Sequence, residues 1–481
     1  MSTPSAPTPA AGPTRGDDLA FAGAAGLRQL LDRREVSVLD LVDLFVERIE
    51  RLDPRLNAFR VVLADQARAE ADQVQARLAA GETAPLLGVP VAIKDEFDFA
   101  GQLNTCGCAP PDETAPRDSE VVRRLRAAGA VPIGITKVPE LTIWPFTETE
   151  SWGKTRNPWD TERTPGGSSG GSGAAVAAGL APAALGSDGA GSIRIPAAWC
   201  GLFGIKPQRG RISYRPLAEH WHGMSVPGPL ARTVADAALF LDATAGPAPG
   251  DAVAPPAPAE PFAQATQRAP RPLRIAVSTK VPPLATARVS REARSAVDST
   301  AELLRSLGHD VRERDPDYGL AWNHVTRRYL RGIHDDARAL PPERLEARTR
   351  SLARLGSLVP ASAVRRSRAA EPEVVARVTS LFRDFDVLMT PTTARPAPPV
   401  GKWEGRGALM TLNGAIWHCP FTAMWNLTGQ PAASVPAGID AAGMPMSVQL
   451  IAPPNDEATL FSLAAQIETA RPWAELRPAI S

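Results

Sequence analysis

Thr164-Pro-Gly-Gly-Ser-Ser-Gly-Gly-Ser-Gly173, the small apolar run Ala174 to Leu185, then Gly186-Ser-Asp-Gly-Ala-Gly-Ser-Ile-Arg-Ile-Pro196: this stretch decides how the chain is read. Two Gly/Ser-rich loops bracket a segment of small apolar residues, which is unlike a flexible Gly/Ser linker. Small residues let backbone approach a ligand closely, and successive free N–H groups suit a developing negative charge. Ser168, Ser169, Ser172, Ser187 and Ser192 offer hydroxyl nucleophiles. The pattern points to acyl transfer. A serine nucleophile needs a base, however, and the stretch holds no histidine.

The base must come from elsewhere. Upstream, Gly88-Val-Pro-Val-Ala-Ile-Lys-Asp-Glu96 reads as a short buried strand delivering Lys94 and Asp95 at its C-terminal end. In open α/β sheets that end is where ligands sit. A lysine buried there can lose its proton near neutral pH, because desolvation disfavours the ammonium form, and Ser-Lys pairs are a variant of triad logic. The competing reading is an ion pair with Asp95 or Glu96. Gly166 to Gly170 matches G-x-S-x-G, but Asp160 to Pro165 is a poor strand and only His418 lies late enough to serve as the base. A nucleophile elbow is therefore not expected. The spacings of phosphate-binding glycine loops are absent as well.

The whole chain narrows the classes further. Its 481 residues carry 53 basic and 52 acidic side chains, a net charge of +1 that offers no electrostatic footprint for nucleic acid. Cys106 and Cys108 form a C-x-C pair with no second pair nearby, so no metal site is expected. Four cysteines in all make a disulfide framework improbable, and a reducing compartment is the simpler reading. No signal peptide or apolar run of about 18 residues is present, so a cytoplasmic protein without a membrane span is expected.

Residues 1–16, rich in Pro, Ala, Ser and Thr, read as a disordered tail before a single domain at 17–481. Alternating strand and helix signals predict an α/β fold with helices on both faces of a sheet. Ser37 and Asp40 look like a capping box opening a helix that Pro54 ends. A further helix is expected to begin at Ala174, its N-terminus aimed at the glycine loop. Residues 246–272 form a Pro/Ala-rich excursion, and 322–383 form a charged, peripheral helical region with a solvated face.

At this point the residues carry a resemblance. Gly88 to Asp95, Asn157-Pro-Trp159, Thr164 to Ser172, Gly186 to Ala197 and Gly204-Ile-Lys-Pro-Gln-Arg-Gly210 resemble the amidase signature family of serine hydrolases. So do Asp386 to Thr392, Asn426 to Ala432 and Gly443 to Leu450, and the likeness spans about residues 20 to 475. It implies that family's fold, a large mixed central β-sheet covered by helices on both faces. It implies a catalytic lysine at Lys94, a bridging serine at Ser168 after a cis peptide bond, and a nucleophile at Ser192. The implied oxyanion hole is the backbone N–H groups of Gly189, Ala190, Gly191 and Ser192. Ser169, Asp188 and Arg194 are read as loop support.

Two departures stand out. Ala190 replaces the family's usual glycine, which puts the pocket's shape in question, and Ser187 replaces a commoner threonine, read as neutral. Trp221, Trp322, Trp403, Trp417 and Trp425 are candidates for an apolar acyl pocket, and Cys200 and Cys419 for inert core or wall residues. The resemblance is stronger to stand-alone bacterial amidases, including relatives acting on cyclic or linear aminocaproate amides, than to the glutaminyl-tRNA amidotransferase subunit, which remains the alternative. The expected substrates are a small linear or cyclic amide, aryl or alkyl, and water, with esters or carbamates as side substrates. No cofactor is expected, and a homodimer is left open.

Overall fold

Ser37 caps the helix Val38–Leu56: its Oγ accepts from Asp40 N (3.1 Å) while Asp40 Oδ2 accepts from Ser37 N (2.9 Å). Val38, Leu41, Val42, Phe45 and Ile49 follow helical spacing and are buried. Pro54 does not end this helix. It stands in the last turn, where its missing N–H removes a single bond, and Asn57 closes the helix from the left-handed region (φ 56°).

The computed structural model describes residues 15–283 and 285–481. Residues 1–14 of the expected tail lie outside the described residues, and Arg15–Ala20 is helical. Among the described residues, eleven strands form one mixed sheet. β1 Phe59–Val62, β2 Pro90–Lys94, β3 Val131–Thr136, β4 Ala183–Asp188, β5 Phe203–Lys206 and β6 Val226–Ala231 precede the Pro/Ala-rich stretch. β7 Arg274–Val277, β8 Asp310–Glu313, β9 Val387–Pro391, β10 Ala432–Ile439 and β11 Pro445–Ile451 follow it. Their order across the sheet is β1-β3-β2-β4-β6-β5-β10-β11-β9-β7-β8, so both halves of the sequence build one layer. β2 runs parallel to β3 and β4, whereas β4, β6, β5, β10 and β11 alternate in direction.

β2, β3 and β4 are buried along their full length because both faces of the sheet are covered. Ala92, Val131, Ile133 and Ala184 pack under the helices Val38–Leu56 and Ala64–Ala79. Val91, Ile93 and Leu185 face the helices Glu120–Ala127, Val234–Thr244 and Glu457–Ala470. β6 carries no sequence signal, since Val-Pro-Gly-Pro-Leu-Ala contains two prolines. Pro227 and Pro229 share parity, so both missing donors fall on one flank, and on the β5 side only Leu230 and Ala231 are paired.

Two expectations need amending. The helix placed at Ala174 begins at Gly170, inside the glycine loop itself. The 322–383 region does hold peripheral helices, Ala321–Arg338, Ala347–Ser357, Ala361–Ala369 and Glu371–Val378. Its charges are not all solvated, because Arg328 is buried and its Nη1 lies 2.5 Å from Glu371 Oε2. In the Pro/Ala-rich excursion, Phe262 is buried against Phe461 at a ring-centroid distance of 5.5 Å.

The capping box lies far in sequence from the Gly/Ser loops and gives a local test. Ser37→Ala is expected to cost about 1 kcal/mol of stability and to speed amide exchange at Asp40, with turnover unchanged. Hydrogen exchange and urea denaturation measure both effects.

Candidate active site

Lys94 ends β2, and the chain turns at once, with Glu96 N donating to Lys94 O at 2.7 Å. The lysine is completely buried. Its Nζ donates to Ser168 Oγ (2.8 Å) and Ser187 Oγ (2.6 Å) and lies 2.9 Å from Glu96 Oε2. Lys94 thus meets a serine of each Gly/Ser loop and the Glu96 carboxylate at once. Asp95 turns away, to Arg60 Nε (2.9 Å) and Thr105 N (3.2 Å). Burial lowers the pKa of Lys94 below the ordinary lysine value, against the opposing pull of Glu96 and, more weakly, Asp188.

Glu96 has four polar neighbours. Ser187 Oγ donates to its Oε2 and Tyr214 OH to its Oε1, while His220 Nδ1 lies 3.5 Å from Oε1. Burial opposes its charge, but Lys94, His220 and Ser187 prevail and hold the carboxyl well below the usual range. On the far side, His220 Nε2 is 3.1 Å from Asp336 Oδ2. Burial disfavours the imidazolium, yet Asp336 and Glu96 outweigh it and raise the His220 pKa to about 10.

The two Gly/Ser loops meet beside this lysine. The Gly167–Ser168 peptide is cis. Ser169 N donates to Ser192 O (3.1 Å), Ser169 Oγ to Ser187 O (3.2 Å), and Ser172 Oγ to Leu185 O (3.0 Å), so neither of these hydroxyls is idle. Asp188, at the end of β4, accepts from Gly191 N (2.6 Å) and Ile193 N (3.2 Å). Arg194 closes on the same carboxylate through Nε (2.9 Å) and Nη2 (2.8 Å), and both side chains are fully buried. Arg194 Nη1 also reaches Thr422 O (2.9 Å) and Gln449 Oε1 (2.6 Å).

This network uses one of the four N–H groups that the sequence reading nominates as oxyanion donors. The N–H of Gly191 is spent on Asp188, since a buried carboxylate is the stronger acceptor. Among the described residues, the N–H groups of Gly189, Ala190 and Ser192 meet no protein acceptor. Ala190, which departs from the family's usual glycine, needs no left-handed backbone. The left-handed φ falls on Gly191 (128°), where a side chain would collide with Thr422, and Ala190 is not among the residues of positive φ.

Ser192, Gly167 and Ala190 open onto a cavity of about 110 Å³ whose wall includes Ile143, Ile195, Trp322, Tyr329, Leu412 and Ala415. Among the described residues, no charged side chain lines it. Of the five tryptophans singled out, Trp322 alone is on this wall. Trp221 instead covers Gly189 and donates to Asp336 Oδ2 (2.7 Å), and Trp403 stacks on Phe146 at 4.7 Å. Trp417 lies under Arg395 (4.7 Å) and Trp425 is core. Cys419 is on the wall and Cys200 lies behind Pro165, and burial pushes both thiols up.

Sequence reasoning missed Ser187, Tyr214 and His220 as partners of this centre, and it treated Glu96 only as a rival explanation of Lys94. Glu96 had a usable signal, its position two residues beyond Lys94 at a strand end. Tyr214 and His220 had none, because only the tertiary fold brings them near. The buried pair yields a stability test. Arg194→Ala leaves Asp188 buried without its counter-charge and is expected to cost about 3–5 kcal/mol in urea unfolding. Asp188 has a depressed pKa, so its contribution is present at neutral pH and is lost as pH falls through the acid range.

Comparison with known proteins shows the family. The amidase family model matches residues 40–461. A Mycobacterium tuberculosis protein provisionally named amidase AmiB2 is 54% identical, the match covering 96% of this chain and 99% of the relative. The 6-aminohexanoate-cyclic-dimer hydrolase of Paenarthrobacter ureafaciens is 35% identical over 95% of this chain and 96% of the relative. Among solved structures, a 6-aminohexanoate cyclic dimer hydrolase complexed with substrate superposes with a TM-score of 0.87 at 32% identity, covering 96% of this chain and all of that one (100%). A bacterial aryl acylamidase gives a TM-score of 0.85 at 26% identity, covering 95% and 97% of the two chains. The chain belongs to the amidase signature family and is an amide-hydrolysing enzyme.

Proposed function

We propose that this amidase hydrolyses a small neutral amide with an apolar acyl group through Ser192, Ser168 and Lys94. The observation that carries the reading is the 2.8 Å contact between Lys94 Nζ and Ser168 Oγ, beside a loop that opens Ser192 onto an uncharged cavity. Neutral Lys94 takes the Ser168 proton as Ser168 takes that of Ser192. The Ser192 oxygen then bonds to the amide carbon. The N–H groups of Gly189, Ala190 and Ser192 are the donors available to the oxygen that becomes negative. The relay reverses to protonate the leaving nitrogen, the C–N bond breaks, and water releases the acyl group by the same route.

The cavity wall argues for the substrate class. Glutamine would bring an ammonium and a carboxylate into a space where no charged side chain meets them, an unfavourable desolvation. The amidotransferase alternative loses support on that ground. Esters or carbamates of the same apolar shape remain compatible as side substrates. A reduced cytoplasm suits the four free cysteines, and no described helix is long and apolar enough to cross a membrane.

Ser192→Ala is expected to lower kcat at least about 10³-fold, and a fluorophosphonate should add its mass to the peptide holding Ser192. Labelling of another serine, or retained turnover, refutes the assignment. For a series of straight-chain acyl anilides, kcat/KM should rise about fourfold per added methylene, as burial of about 0.8 kcal/mol each implies, until the cavity is full. A series that is flat from the start would refute the apolar acyl site.

A further inference from the structure

We infer that Glu96 is a positioning residue which, at the head of a chain of alternating charge through His220 to Asp336, sets the pH at which Lys94 becomes a base. The inference rests on the reading of Lys94 as the acceptor of the Ser192 proton. Its geometric basis is a line of contacts: Lys94 Nζ to Glu96 Oε2 at 2.9 Å, Glu96 Oε1 to His220 Nδ1 at 3.5 Å, and His220 Nε2 to Asp336 Oδ2 at 3.1 Å. The charges alternate from cation to anion along it. Asp336 belongs to the helix Ala321–Arg338, which also presents Trp322 and Tyr329 to the acyl cavity.

Both oxygens of Glu96 are hydrogen-bonded, Oε2 by Ser187 with Lys94 Nζ at 2.9 Å and Oε1 by Tyr214, while His220 Nδ1 stands 3.5 Å from Oε1 as a charge neighbour without a hydrogen bond. A carboxylate held by so many donors stays anionic, so it does not relieve Lys94 of its proton. It favours the ammonium form instead. The other groups facing Lys94 do not replace it: the Cys106 thiol is kept protonated by burial, and Asp188 is already paired with Arg194. His220 faces Glu96 on one side and Asp336 on the other. As an imidazolium it draws on the Glu96 charge and loosens its hold on Lys94. A hollow of about 390 Å³ borders Glu96, Tyr214, His220 and Asp336.

The two links therefore act in opposite directions. Removing the anion should free the lysine at lower pH, and removing the imidazolium should delay it to higher pH. The test is the acid limb of kcat/KM against pH for the full chain acting on a neutral apolar acyl 4-nitroanilide, since that limb reports the free enzyme's base. Glu96→Gln is expected to move the limb to lower pH by about 1 to 3 pH units. His220→Asn is expected to move it to higher pH by a smaller amount.

A limb that stays in place in Glu96→Gln, or moves in the same direction in both variants, overturns the inference. Should Glu96→Gln not fold, His220→Asn decides alone: an upward move supports the chain, and an unmoved or downward limb overturns it. Lys94→Ala separates the two levels of argument. If that variant keeps its activity, the base reading itself fails. If it loses activity while the Glu96→Gln limb is unmoved, only the role of Glu96 fails.

Discussion

The site depends first on the buried pair of Asp188 and Arg194. Two charges taken completely out of water are costly, and they persist here because almost every polar atom is matched. Asp188 gathers Gly191 N, Ile193 N, the Arg194 fork and Asn426 Nδ2, and Arg194 spreads to Thr422, Asn426 and Gln449. That network ties the end of β4 to residues more than two hundred positions later. It also turns one loop N–H inward and leaves those of Gly189, Ala190 and Ser192 without a protein acceptor. The loop is shaped by a charge pair rather than by its glycines alone.

The burial of Lys94 follows from how closely the surrounding backbone packs. The helix Gly170–Ala177 starts against other main chain: a Cβ on Gly171 would sit 2.5 Å from Ala58 O and Lys137 N. Only glycine allows that approach. Lys94, at the end of β2, is fully buried, which lowers the cost of deprotonating it, while Glu96 acts in the opposite sense. Desolvation and counter-charge thus oppose each other on one nitrogen, and small changes in either shift the balance.

The charged region at 322–383 has two characters. Its outer surface is the solvated face that its composition predicts. Its inner face supplies Trp322 and Tyr329 to the cavity beside Ser192 and sets Asp336 against His220, and it buries Arg328 against Glu371. Counting charges along a helix hides this division, because a long arginine can be paired and buried where its neighbours are not.

Several features were determined by the sequence itself. The capping box at Ser37 and Asp40, the strand ending on Lys94 and the two Gly/Ser loops are local, since capping, β-branching and glycine freedom act over a few residues. The motif segments were enough to identify the family and to nominate Lys94, Ser168 and Ser192. The strand at Val226–Ala231 was not legible, because its prolines are tolerated only when one flank needs few donors, a property of the assembled sheet. Likewise the commitment of Gly191 N to Asp188, the choice of Trp322 from five tryptophans, and the partners Tyr214 and His220 were decided by the tertiary structure. Hydrogen-bond geometry and desolvation depend on atoms brought together from distant parts of the chain, and no local pattern encodes that arrangement.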